Sequence, residues 1–250
     1  MRQGEMQQVL DLRHHELRTL TLPPARTHVM PGIRWGRFDE FFTPAFWAAR
    51  AWQFEPDRSF EPARLGNSLR EELAACLLGG FGIPAEVGLA AYERIARSGV
   101  LEADVTAFEI EKLLTEPLLV RGRHIRYRFY RQKARHLAES LAMLRGWSAE
   151  PSGDRALRDS LAELSGVGLK TASWITRNWR SSDDVAILDI HICRACAAIR
   201  VFNESPSPTR DYAELEERFL LFSTALGVRA SVLDNLMWQT MRGIGHLLKN

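Results

Sequence analysis

From Asn67 to the end, the chain is written in helix-period segments closed by glycine or proline, which leaves little room for anything but a mainly α fold. "NSLREELAACLLGGF" offers Asn67 as an N-cap and Gly79-Gly80 as a stop. "PAEVGLAAYERIARSG" opens on a proline and closes on Gly99, the usual asymmetry of helix ends. Counting on through "DVTAFEIEKLLTEP", "RYRFYRQKARHLAESLAMLRG" and the rest to "RASVLDNLMWQTMRGIGHLL", about ten helices are expected. There is no internal repeat, and any sheet is expected to be confined to the N-terminal segment.

That segment is the least regular part. "TLPPARTHVMPGIRWGRFDEFFTPAFWAARAWQF" mixes prolines, glycines and aromatics, which predicts an extended wrap followed by one helix near Pro44–Phe54. Residues 1–60 are expected to be an extension packed on a helical core made of residues 61–250, with a surface available to a protein partner. Apolar residues at 46% are enough for one substantial core or two closely packed subdomains. No run approaches the ~20 apolar residues of a membrane helix, and the N-terminus lacks the apolar stretch of a signal peptide. Three cysteines make no disulfide framework. A reduced, cytoplasmic setting and no membrane partner are expected.

The chemistry is concentrated at "LSGVGLKTASW". Gly166 and Gly168 flank one apolar residue between two helical segments, so the turn can take positive φ and open backbone amides toward a phosphate. A tight packing turn is the plainer reading of the same residues. Lys170, however, stands where the next helix begins, and a cation is disfavoured there. Nineteen residues on, "VAILDIHICRA" carries Asp189 at the end of an apolar approach to another helix, where it can also act as an N-cap.

Gly-Val-Gly-x-Lys followed by Asp-x-His-x-x-Arg resembles the helix-hairpin-helix DNA glycosylase superfamily. "GVGLKTASWITRN" with "AILDIHICR", and then "RYRFYRQKARHL" and "LDNLMW", are most similar to the small archaeal and bacterial branch of 8-oxoguanine DNA glycosylases and abasic-site lyases. The resemblance runs over roughly residues 67–249. It implies two helical subdomains, a hairpin at about residues 157–179 and an active-site cleft between the subdomains. It also implies that Lys170 attacks the sugar of the damaged nucleoside as a neutral amine, favoured by partial burial and the helix dipole. Asp189 would stabilise positive charge on the sugar, His191 would lie near a DNA phosphate, Trp238 near the extruded base, and Lys249 would read that base. A monovalent cation at the hairpin backbone is the only cofactor the resemblance admits.

Residues 121–135, "RGRHIRYRFYRQKAR", hold seven Arg or Lys, one His and no acid. A run of one sign suggests a phosphate-facing stripe that includes Arg126 and Arg131, so local charge and not the net +2 is what would hold DNA. A basic surface helix balanced by acids elsewhere is the alternative. In "GGFGIP", Phe81 is placed to wedge into a base stack, although an apolar wedge cannot read an orphaned base by hydrogen bonds. Cys193 and Cys196 form a lone C-x-x-C best read as packing, so no metal is expected. The function that the resemblance implies is that of a bifunctional DNA glycosylase and abasic-site lyase excising 8-oxoguanine through a Schiff base on Lys170; the alternatives are the same chemistry on another modified base, in foreign DNA for example, or a non-catalytic DNA- or protein-binding module. A monomer acting on DNA, nucleoid-associated in the cytoplasm, is expected.

Overall fold

A computed structural model describes residues 4–13, 15–54, 64–80, 82–203 and 206–244. Strands β1 (Gln7–Arg13) and β2 (Glu16–Leu22) form an antiparallel ladder in register from Gln7–Leu22 to Arg13–Glu16. A second short ladder pairs β3 (His28–Met30) with β4 (Ile33–Arg34). The turns between them are pinned by one side chain. Gln7 Nε2 donates to the carbonyls of Pro23 (2.7 Å) and Gly36 (3.0 Å), while its Oε1 accepts from Phe38 N–H at 3.0 Å. Helix α1 (Pro44–Phe54) then begins where its proline predicts, with Thr43 Oγ1 accepting from Phe46 N–H at 3.0 Å.

Helices α2 (Leu69–Leu78), α3 (Ala85–Arg97) and α4 (Ala107–Thr115) follow. The N-cap of α2 is Ser68, one residue later than the expected Asn67, and its side chain accepts from Glu71 N–H. Helix α4 carries a capping box of Thr106 and Glu109. Next comes a hairpin of β5 (Leu118–Val120) and β6 (Arg123–Ile125), so sheet is not confined to the N-terminal segment. Its two loop residues, Arg121 and Gly122, both have positive φ, the geometry a two-residue hairpin turn requires. Helices α5 (Tyr130–Arg145), α6 (Asp154–Ala162) and α7 (Leu169–Arg180) complete this stretch. One core of leucines and isoleucines runs through it, including Leu73, Leu77, Ile110, Leu137 and Leu141. Within it Glu72 is fully buried, accepting from Leu65 N–H (2.7 Å), Gly66 N–H (3.0 Å) and Asn178 Nδ2 (2.8 Å). With the Cys76 thiol as a fourth donor at 3.6 Å, these bonds compensate the carboxylate, and the one from Asn178 fixes α7 against α2.

The chain ends in α8 (Ile190–Ala198), α9 (Tyr212–Leu226) and α10 (Ala230–Ile244), making ten helices among the described residues. By compactness it divides into residues 62–182 and a second unit formed by residues 1–61 with 183–250. In the second unit α1 packs on α10, and β3 packs on α9. Trp47, Phe219, Phe222, Leu233 and Met237 are its sealed interior.

Candidate active site

The turn between α6 and α7 uses its two glycines for different reasons. Gly166 has φ +72°, and a Cβ there would lie 2.0 Å from Nδ1 of His136 on α5. Gly168 is extended (φ −91°) and serves as N-cap of α7, yet a Cβ there would meet nothing within 4 Å. Having no side chain, Gly168 leaves the first amides of α7 uncapped, and both glycines are exposed. Gly166→Ala is therefore expected to lower stability by about 1–3 kcal/mol, while Gly168→Ala changes it by less than about 0.5 kcal/mol, as read from thermal melts. Turn carbonyls already accept hydrogen bonds: Leu161 from Leu164 N–H (3.1 Å), Leu164 from Val167 N–H (3.1 Å) and Ser165 from Ser140 Oγ (2.9 Å).

Lys170 is the second residue of α7. The first turn holds no acid, and among the described residues the ammonium has neither a hydrogen bond nor an ion pair. The side chain is exposed, contrary to the partial burial expected of it.

Asp189 belongs to the other unit, as the N-cap of α8. Its Oδ1 accepts from His191 N–H (2.7 Å) and Ile192 N–H (3.0 Å), which leaves Oδ2 without a partner among the described residues. Capping therefore occupies one oxygen of the carboxylate and leaves the other unpaired. The approach at residues 185–188 is buried apart from half-buried Ile187 and pairs with no strand. Side chains from α9 and α10 satisfy its amides instead. Ala186 N–H donates to Glu216 Oε1 (2.9 Å), Ile187 N–H to Asp234 Oδ2 (3.2 Å) and Leu188 N–H to Tyr212 Oη (3.4 Å). The Tyr212 hydroxyl in turn donates to the carbonyl of Ala186 at 2.6 Å. These three residues were not among the expected site residues. The signal available was their spacing, since Tyr212, Glu216, Phe219 and Ser223 share one buried face of α9.

His191 is half-buried, and its Nδ1 is a buried nitrogen without a hydrogen-bond partner. Trp238 stands off the core face of α10, 36% exposed, with the Arg242 guanidinium 4.9 Å above its ring. Phe81 and Lys249 lie outside the described residues. Cys76, Cys193 and Cys196 are buried thiols, and burial pushes Cys196 well above its ordinary range.

The basic run is not one helix face. Arg121 pairs with Glu86 from the hairpin turn, and Phe129, at φ +66°, ends the irregular stretch before α5. Lys133 points inward, donating to the carbonyls of Leu77 (2.6 Å) and Gly79 (3.4 Å), and burial lowers its pKa. Tyr127 closes the same helix end by donating to Leu78 O at 2.6 Å. Arg131 is shared with Glu111 at 3.3 Å. Arg123, Arg126 and Arg128 have no acidic partner among the described residues and are exposed.

A glycine hairpin that opens a lysine-bearing helix, with an aspartate capping a later one, defines a helix-hairpin-helix protein. The profile of the 8-oxoguanine DNA glycosylase family matches residues 56–228, and the chain belongs to that family. A Metallosphaera sedula protein named 8-oxoguanine DNA glycosylase/AP lyase is 34% identical over 121 residues, which is 47% of this chain but only 59% of that relative. The crystal structure of Methanocaldococcus jannaschii 8-oxoguanine DNA glycosylase superposes with a TM-score of 0.56 at 25% identity, covering 73% of this chain and 84% of its own. The same enzyme in complex with a 15mer DNA containing 8-oxoguanine gives a TM-score of 0.54 at 26% identity over 73% of this chain and 86% of its own.

Proposed function

We propose that this protein is a DNA glycosylase with abasic-site lyase activity that excises 8-oxoguanine through a Schiff base on Lys170. The observation that carries the reading is an unpaired, exposed lysine at the second position of the hairpin helix, where the helix dipole disfavours a structural cation. The amine of Lys170 attacks the anomeric carbon, and the bond to the base breaks as the base leaves with a proton. Ring opening gives the Schiff base. Loss of a proton from the next sugar carbon then expels the 3′ phosphate and cuts the strand. The carboxylate of Asp189 stabilises the positive charge that develops on the sugar, while its Oδ1 keeps the capping bonds. The open amides of the first turn of α7, after Gly168, take a backbone phosphate, His191 and Arg126 take others, and Trp238 offers a stacking face to the extruded base. Arg131 contributes less than Arg126, because Glu111 shares it.

Residues 1–55 lie outside the family match, which keeps a second reading in view: the same chemistry on a different modified base. Oligonucleotides carrying 8-oxoguanine, an abasic site or ordinary guanine separate the two. Release of 8-oxoguanine with strand scission is expected. Cleavage of the abasic strand alone would reassign the base, and no reaction on any of them would overturn the chemistry. Arg126→Glu is expected to weaken binding uniformly across sequences and to lower the salt slope of log K by about 1 or more, measured by fluorescence anisotropy in a salt series. An unchanged affinity would remove this arginine from the DNA interface.

A further inference from the structure

A buried backbone amide must find an acceptor, and the approach to Asp189 has neither a helix nor a sheet to provide one. Three consecutive amides, at residues 186, 187 and 188, are each met by a different side chain, at 2.9, 3.2 and 3.4 Å. Two of the three, Tyr212 and Glu216, lie one turn apart on α9 and are nearly sealed from solvent. The Tyr212 hydroxyl is used twice: it accepts from Leu188 N–H and donates to Ala186 O, which closes a loop across the strap. Asp189 N–H then bonds back to Ile187 O at 3.1 Å, so the aspartate follows directly from the fixed segment. A carboxylate whose Oδ1 is tied to α8 and whose backbone is tied through the strap has little freedom left in the placement of Oδ2.

We infer that Tyr212 and Glu216, with Asp234 as the third contact, are positioning residues that set the Asp189 carboxylate for the reaction. The inference rests on the function proposed above. It goes beyond it in assigning to α9, a helix to which the proposed function gives no substrate contact, control over the rate of the chemical step. Apolar side chains in these three places would leave the amides of residues 186–188 without acceptors, so the matched polar groups hold the strap in one position. Such a strap acts on orientation, so its loosening lowers the rate while leaving substrate affinity intact.

The test is a double-mutant cycle on the full chain with single-turnover base release. Tyr212→Phe and Glu216→Ala are each expected to slow release by about tenfold or more, with the dissociation constant for substrate DNA changed by less than about twofold. Glu216→Gln keeps a carbonyl oxygen for Ala186 N–H and is expected to restore the rate to within about threefold of wild type. In an Asp189→Asn background, Tyr212→Phe should cost nothing further, because its effect passes through that carboxylate. A full additional loss in that background, or wild-type rates in both single variants, would overturn the inference. Amide hydrogen exchange gives a readout that needs no activity. Tyr212→Phe should speed exchange at residues 186–192 and leave the rest of the unit protected, whereas unchanged exchange there refutes the strap whatever the rates. Failure of the function itself is read separately, as the absence of any Lys170-dependent adduct from the wild-type protein.

Discussion

Lys170→Gln is expected to abolish the covalent adduct trapped by borohydride and to slow base release by at least about 10³-fold, while the protein stays folded. Glutamine has nearly the reach of lysine but no nucleophilic amine. The native side chain makes no hydrogen bond or ion pair among the described residues, so its removal breaks no contact. Position also sets the sign of the stability change. Deleting a positive charge from the first turn of α7 relieves an unfavourable interaction with the helix dipole and should raise stability by about 0.3–1 kcal/mol. A structural lysine would show the opposite pair of results, with lowered stability and retained chemistry. Activity and a denaturation curve measured on one variant therefore separate the two roles.

Removing residues 1–54 is expected to prevent cooperative folding of the unit that carries Asp189. The N-terminal segment is part of that unit's interior: Trp47 is fully buried on α1, and α1 packs against α10, the helix that bears Trp238. A milder version is Trp47→Ala, expected to cost about 3–5 kcal/mol. That loss is comparable with much of the total stability of a typical domain, about 5–15 kcal/mol. Calorimetry should show the transition of residues 62–182 retained in the truncated chain and the other lost. A truncated chain with both transitions intact would show that the segment is dispensable.

How much of this was legible in the sequence depended on how local the signal was. The start of α1 followed from Pro44, and the hairpin from Gly166 and Gly168, because helix starts and turns are set by neighbours in sequence. Both N-terminal ladders were harder to see. In β1, Leu10 and Leu12 are exposed, so its polar face carries apolar residues and the alternation is blurred. The basic run was read as helix from Arg126 because Arg and Lys are good helix formers. It is interrupted by the β5–β6 hairpin and by the left-handed backbone of Phe129, and the Arg121-Gly122 turn was the clue. Lys170 and Asp189 were singled out by residue type, spacing and the family resemblance they carry. Their surroundings were not: the close approach of His136 to Gly166 and the contacts of Tyr212, Glu216 and Asp234 to residues 186–188 join positions far apart in sequence. The exposure of Lys170 is of the same kind, since no local pattern records which neighbours cover a side chain.

The most direct test of the account is to locate the covalent bond. Wild-type protein is reacted with an 8-oxoguanine oligonucleotide, reduced with borohydride and digested, and the modified peptide is sequenced by mass spectrometry. The account predicts a single adduct on the side chain of Lys170. An adduct on another amine, or base release with no adduct at all, would contradict it.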